Sequence, residues 1–162
     1  MKTLTLFRHA KSSWRHAVAD LFRPLNNRGL SQAMQMAKQF EFTNPDRIYT
    51  SPALRAASTA LIYKNALSVH DECFFLRSEL YECNSLQLMR WTQQLSDKFK
   101  DIWFFGHNPT CNDLVALLLG YEVENIVTSG FVRIQLDCQS WSDVKPSCGE
   151  LVELNNRTYL GE

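Results

Sequence analysis

The chain has 162 residues, one domain's worth of sequence, and its 45% apolar content is ordinary for a globular protein. A chain this long buries roughly two-thirds of its unfolded surface. Seventeen basic residues balance seventeen acidic ones, which argues against a nucleic-acid partner because such a partner demands a basic surface. No apolar stretch approaches the ~20 residues of a membrane span. Residues 1–7 alternate too strongly and are too few for a secretory leader. A cytoplasmic protein of one domain, 1–162, without membrane association, is therefore expected.

Residues 2–7 read as a buried strand that stops abruptly at Arg8-His9. Residues 10–29 are polar and irregular, and so long a connection in a compact domain is usually functional. Leu30, Ala33, Met34, Ala37 and Phe40 follow the 3.6-residue period and predict a helix from Gly29 to Glu41. Arg47–Thr50 reads as a second strand. Ser51-Pro52 after it has the pattern of an N-cap followed by an N1 proline, predicting a helix to Leu67 with Leu54, Ala57, Leu61 and Ile62 along it.

Cys73–Leu76 is a short apolar strand, and Asn84 or Ser85 caps a helix carrying Leu86, Met89 and Leu95 inward. Ile102–Phe105 is a buried strand ending in Gly106-His107-Asn108-Pro109, with Asn108-Pro109 a second cap-and-proline start. Leu114, Leu117 and Leu118 mark the inner face of the helix that follows. Residues 131–136 and 151–154 alternate apolar and polar, as half-exposed strands at a sheet edge do. Strand–helix alternation followed by a strand pair predicts an α/β fold: a three-layer α/β/α sandwich whose sheet is mostly parallel with an antiparallel edge.

The five cysteines, Cys73, Cys83, Cys111, Cys138 and Cys148, are odd in number and contain no C-x-x-C pair. They suggest reduced thiols rather than disulfides or a zinc site. A cysteine-dependent phosphatase loop needs an arginine six positions after its cysteine. The nearest spacing, Cys83 to Arg90, is seven.

Three strand ends carry the chemistry. The first holds Arg8 and His9, the second leads into a helix whose first turn holds Arg55, and the third holds His107. In parallel strands all three emerge on one rim, where open α/β sheets bind ligands. Helix N-termini there add free N–H groups and partial positive charge. Two guanidiniums, two imidazoles and no carboxylate within the three motifs make a pocket for a dianion, most plausibly phosphate.

As a set these motifs resemble the histidine phosphatase superfamily, the phosphoglycerate mutase-like proteins, and most closely their small SixA-type phosphohistidine phosphatase branch. The resemblance runs from Leu4 to Leu154 and is carried by Arg8-His9-Ala10-Lys11-Ser12-Ser13-Trp14, Arg23-Pro24-Leu25-Asn26 with Arg28-Gly29, Ser51-Pro52 with Arg55 and Thr59, Leu80-Tyr81-Glu82, and Gly106-His107-Asn108-Pro109. It implies a phosphoglycerate mutase-like fold in which His9 is the nucleophile while Arg8, Arg55 and His107 bind the phosphoryl oxygens. Glu82, with Glu79 as its competitor, matches the family's proton donor. No metal or other cofactor is expected, because the arginines neutralise the charge.

Two positions depart from the wider family: Ala10 stands where larger members have glycine, and Arg15 where they have asparagine. Arg15 and Ser12 are candidate substrate contacts, and Trp14 a candidate pocket wall. His16 and His70 match nothing in the pattern and read as surface groups. The connection from Thr59 to Leu80 lacks the lid insertion of larger relatives, which implies an open pocket suited to phosphohistidine on a protein such as a phosphotransfer domain. The alternatives are a phosphomonoesterase of small metabolites and a phosphate-binding interaction module without turnover. A monomer is expected.

Overall fold

The computed structural model describes residues 1–157. One six-stranded sheet has the order β3-β2-β4-β1-β5-β6, built from β1 (Lys2–Arg8), β2 (Arg47–Thr50), β3 (Phe74–Leu76), β4 (Asp101–Gly106), β5 (Phe131–Leu136) and β6 (Gly149–Asn155). The strands β1 to β4 pair in parallel, whereas β5 runs antiparallel to both β1 and β6. Helices α1 (Asn27–Lys38) and α2 (Leu54–Ala66) cover one face, α3 (Ser85–Thr92) and α4 (Thr110–Leu119) the other. The three-layer α/β/α sandwich expected from the alternation is present. Among the described residues no helix is long and apolar enough to cross a membrane.

Strand alternation divides the core in two. Leu4 and Leu6, Ile102 and Phe104, and Val132 and Ile134 face α3 and α4. Phe7, Ile48, Trp103, Phe105 and Phe131 face α1 and α2. Phe7 and Phe105 are register partners whose rings stack 4.2 Å apart at 6°. Such a pair is worth about 0.5–1.5 kcal/mol beyond its burial. It anchors the two strands one residue before their functional tips.

Three local expectations are corrected. The helix placed at Gly29–Glu41 is α1, Asn27–Lys38, because the Asn26 side chain caps it by accepting the Gly29 N–H at 2.7 Å. Gly29 lies inside the helix for a different reason: a Cβ there would stand 2.1 Å from the Lys11 carbonyl oxygen. Ser51-Pro52 does not cap α2, whose N-cap is Ala53, because the Ser51 hydroxyl is engaged by His107. Likewise Asn108 is not the cap of α4, which follows Pro109, although its Oδ1 accepts the Asn112 N–H.

The inward faces also differ in places. In α3, Leu86 is exposed, and Leu88 and Thr92 turn inward, since the Asn84 capping box sets the helical phase. In α2, Leu54 and Leu61 are exposed; the buried face is Arg55, Ala56, Thr59, Ala60 and Tyr63. The antiparallel edge is β6, and β5 is not a half-exposed edge but a buried strand between β1 and β6. Its polar Arg133 is buried because the guanidinium pairs with Asp101 at 2.7 Å and donates to Thr5 Oγ1 at 2.8 Å. Alternation in sequence thus reports a buried ion pair rather than solvent.

Candidate active site

Register explains why the two imidazoles meet. Arg8 and Gly106 are paired across β1 and β4, so the next residue of each chain, His9 and His107, leaves the sheet side by side. Their ring centroids lie 5.3 Å apart. Thr50 of β2 pairs with Phe105, which brings Ser51 and the start of α2 to the same rim. Arg8, His9, Arg55 and His107, expected from sequence to converge, line one pocket of about 370 Å³ together with Lys11, Ser12, Trp14 and Arg23.

His9 is held from both sides. Its backbone N–H donates to Gly106 O at 3.0 Å and its carbonyl accepts the Ser129 N–H at 3.2 Å. Its Nδ1 lies 2.7 Å from the Ala10 carbonyl oxygen. A carbonyl only accepts, so Nδ1 carries the proton and the Nε2 lone pair is left for chemistry. Thr59 Oγ1 accepts the Ala10 N–H at 2.9 Å and donates to Arg55 O at 2.7 Å, tying the loop after His9 to α2. Burial above all, with Arg55, Arg8 and Arg23 contributing against the Ala10 hydrogen bond, pulls the His9 ring from 6.5 down to about 4. At neutral pH the ring is uncharged, with its one proton on Nδ1.

His107 is set the other way round. Ser51 Oγ accepts the Ala53 N–H at 3.2 Å and lies 2.8 Å from His107 Nε2. When Ser51 donates to Nε2, the ring proton of His107 is on Nδ1. Burial first, then the positive charge of its neighbours, pulls His107 down to about 3. Its Nδ1 is buried and without a hydrogen-bond partner among the described residues, as are the Nε atoms of Arg8, Arg23 and Arg55. Four orphaned donors around one pocket are a signature of an anion seat, since a buried unpaired donor costs about 1–3 kcal/mol.

Sequence inspection missed one carboxylate. Asp20, in a 3-10 turn (Asp20–Phe22) of the long connection, lines the adjoining cavity of about 390 Å³ and touches the His9 pocket through the guanidiniums of Arg55 and Arg23. Its Oδ2 accepts from Arg55 Nη2 at 3.0 Å and from the Tyr81 hydroxyl at 2.7 Å, its Oδ1 from Arg23 Nη2 at 3.1 Å. The Tyr81 hydrogen bond and the two guanidiniums hold this carboxyl well below the usual carboxylate range. It is an anion, not an acid. The only local signal for it was its place in an unusually long polar connection.

The remaining expected residues divide. Ser12 lines the pocket, and its Oγ accepts from Arg23 Nη1. Trp14 walls the pocket, with the Arg23 guanidinium 3.8 Å from its ring centre. Arg15 is exposed and outside the phosphate pocket, lining a neighbouring cleft instead. Glu82 does not stand with His9: it is exposed, has a left-handed backbone (φ 57°), and lines a second cavity of about 390 Å³ beyond Tyr81 and His107. Glu79, its competitor, is exposed beside Ser78.

Comparison with known proteins agrees with this geometry. The family model of the histidine phosphatase superfamily (branch 1) matches residues 4–104. An uncharacterised protein of Mycobacterium tuberculosis is 27% identical over 90% of this chain and 96% of its own length. The fold is shared with a SixA-type protein of Agrobacterium tumefaciens: the TM-score is 0.78, with 21% identity over 95% of this chain and 97% of that one. It is shared too with the protein histidine phosphatase SixA complexed with tungstate, at a TM-score of 0.76 and 22% identity over 94% and 95% of the two chains. The sheet order, the paired imidazoles and the family match together place this chain in the histidine phosphatase superfamily.

Proposed function

We propose that this phosphatase removes the phosphoryl group from phosphohistidine on a protein, through a covalent phosphohistidine at His9. One observation carries the reading: His9 presents a neutral Nε2, its tautomer set by the Ala10 carbonyl, beside three arginines and four unpaired donors. Nε2 attacks phosphorus, the new N–P bond forms, and the bond to the substrate's nitrogen breaks. That leaving imidazole is basic enough to take a proton from water, so no carboxylic acid is required at the site. Water then attacks the phosphohistidine, the N–P bond of His9 breaks, and phosphate leaves. Phosphoryl transfer asks a protein mainly for positioning and charge stabilisation. Arg8 is positioned by its Nη1 donation to Ile126 O at 2.9 Å, and Arg55 by both its bonds to Asp20.

The SixA-type relatives support a protein-borne substrate, as does the short connection from α2 to Leu80, which holds only β3 and two 3-10 turns. The test is rapid mixing with a histidine-phosphorylated phosphotransfer domain, an alkaline quench, and mass spectrometry of the enzyme. One phosphoryl group on His9 is expected, and no phosphate release by His9→Ala. Release undiminished in that variant overturns the nucleophile.

A second reading, hydrolysis of a small phosphorylated metabolite, draws on the 390 Å³ cavity beside His107, within the size of small-ligand sites. Turnover confined to sugar phosphates or phosphoserine, with none on the phosphoprotein, selects it.

A further inference from the structure

The connection between β1 and α1 has a surface the chemistry does not use. Trp14 is 80% exposed, Phe22 61% and Val18 49%, and Leu54 at the start of α2 is 42% exposed. Large apolar side chains grouped on one connection are uncommon on a surface that faces only water. Trp14 is fixed by its stacking on Arg23, so it offers a rigid aromatic anchor with little conformational entropy to lose.

The same segment is basic in a chain of zero net charge. Residues 11–28 hold Lys11, Arg15, Arg23 and Arg28 against one carboxylate, Asp20. Asp20 is saturated by Arg55, Arg23 and Tyr81, whereas Lys11, Arg15 and Arg28 have no ion-pair partner among the described residues. These three cations line a cleft of about 570 Å³ with His16, Asn26 and Trp14. Lys11, Ser12 and Trp14 line both that cleft and the pocket holding His9, so the two adjoin.

Resting on the phosphohistidine reading above, we infer that residues 11–28 form the docking face for the substrate protein, and that this partner carries carboxylates around an apolar patch beside its phosphohistidine. Apolar anchors would supply residence time. The cations would steer encounter and reject partners whose phosphohistidine is ringed by lysine or arginine. A small phosphoramidate reaches His9 without touching Val18, Phe22 or Arg28.

The test compares free phosphohistidine with a phosphotransfer domain whose phosphohistidine is surrounded by acidic residues. Two variants separate the contributions: Val18→Ser with Phe22→Ser for the apolar one, and Arg28→Glu for the charge. Arg28 is exposed in the first turn of α1, where a glutamate suits the helix dipole and folding is preserved. Each variant should lose about fivefold or more in kcat/KM on the carrier, the scale of an interface anchor. Each should stay within about twofold of wild type on free phosphohistidine. Equal activity of variants and wild type on the carrier overturns the docking face alone. Parallel losses on both substrates for both variants overturn it as well. A wild-type enzyme that hydrolyses free phosphohistidine but no carrier overturns the protein-substrate reading itself.

Discussion

The Asp20 carboxylate and the Arg55 guanidinium form a two-point contact, side chain to side chain at 3.0 Å and Arg55 Nη1 to the Asp20 carbonyl at 2.8 Å. A residue from the long polar connection thus sets the orientation of a pocket-lining cation on α2. It does so at an electrostatic cost, because a carboxylate beside a phosphate seat repels the dianion.

Asp20→Asn should separate these two effects. Losing the charge removes repulsion, so vanadate should bind more tightly and KM should fall. Losing the ionic anchor of Arg55 should lower kcat by about tenfold, roughly 1.4 kcal/mol of barrier. Steady-state kinetics with a vanadate titration check it; a rise in KM with unchanged kcat contradicts it.

His107→Ala should cost about 10²–10³ in kcat, the range for removing one preorganised donor to a developing oxyanion. Ser51→Ala should cost less and act through the same ring. It removes the hydroxyl that sits 2.8 Å from His107 Nε2, and with it the group that favours the Nδ1–H tautomer by donating there. Nitrogen-resolved NMR of the ring tautomer, beside kcat, tests this ordering.

The acid limb of kcat/KM should lie near pH 4 rather than at the ordinary 6.5 of histidine, because the nucleophile must be neutral and burial holds His9 at about 4. Stability follows from the same shift. His9 and His107 bind protons less readily folded than unfolded, so the unfolded chain takes up more protons below pH 6.5. Their contribution is fully present above 6.5 and is lost as pH falls toward 4 and 3. Melting temperature should drop across that window, with a shallower slope in His107→Gln. An inflection of kcat/KM at 6.5 contradicts the buried, neutral nucleophile.

Gly29→Ala should destabilise the protein although alanine is the better helix former by about 1 kcal/mol. The added Cβ meets the Lys11 carbonyl at 2.1 Å, and a backbone clash costs about 1–3 kcal/mol or more. The expected result is a lower melting temperature with reduced activity, because Lys11, Ser12 and Trp14 wall the pocket. A raised melting temperature would contradict the close approach.

The strands, the main helices and the convergence of Arg8, His9, Arg55 and His107 on one rim were legible in sequence, because each follows an apolar strand run, Arg55 in the first turn of the next helix, and period and punctuation are local properties. The caps were less legible: Ser51 and Asn108 look like helix starts, yet one bonds His107 and the other bonds forward to Asn112. The burial of β5 was illegible because Arg133 looks solvated until Asp101 and Thr5, distant in the chain, are placed against it.

What sequence by itself determined is which groups are available for the chemistry and at which strand tips they leave the sheet. Tertiary structure alone decided how they act: the register that sets His9 beside His107, the Ala10 carbonyl that assigns the tautomer, and the arrival of Asp20 at Arg55 in place of Glu82. The reason is physical. Periodicity and capping are local and written in neighbouring residues, whereas register, desolvation and hydrogen-bond partnership depend on groups that only the folded chain brings together.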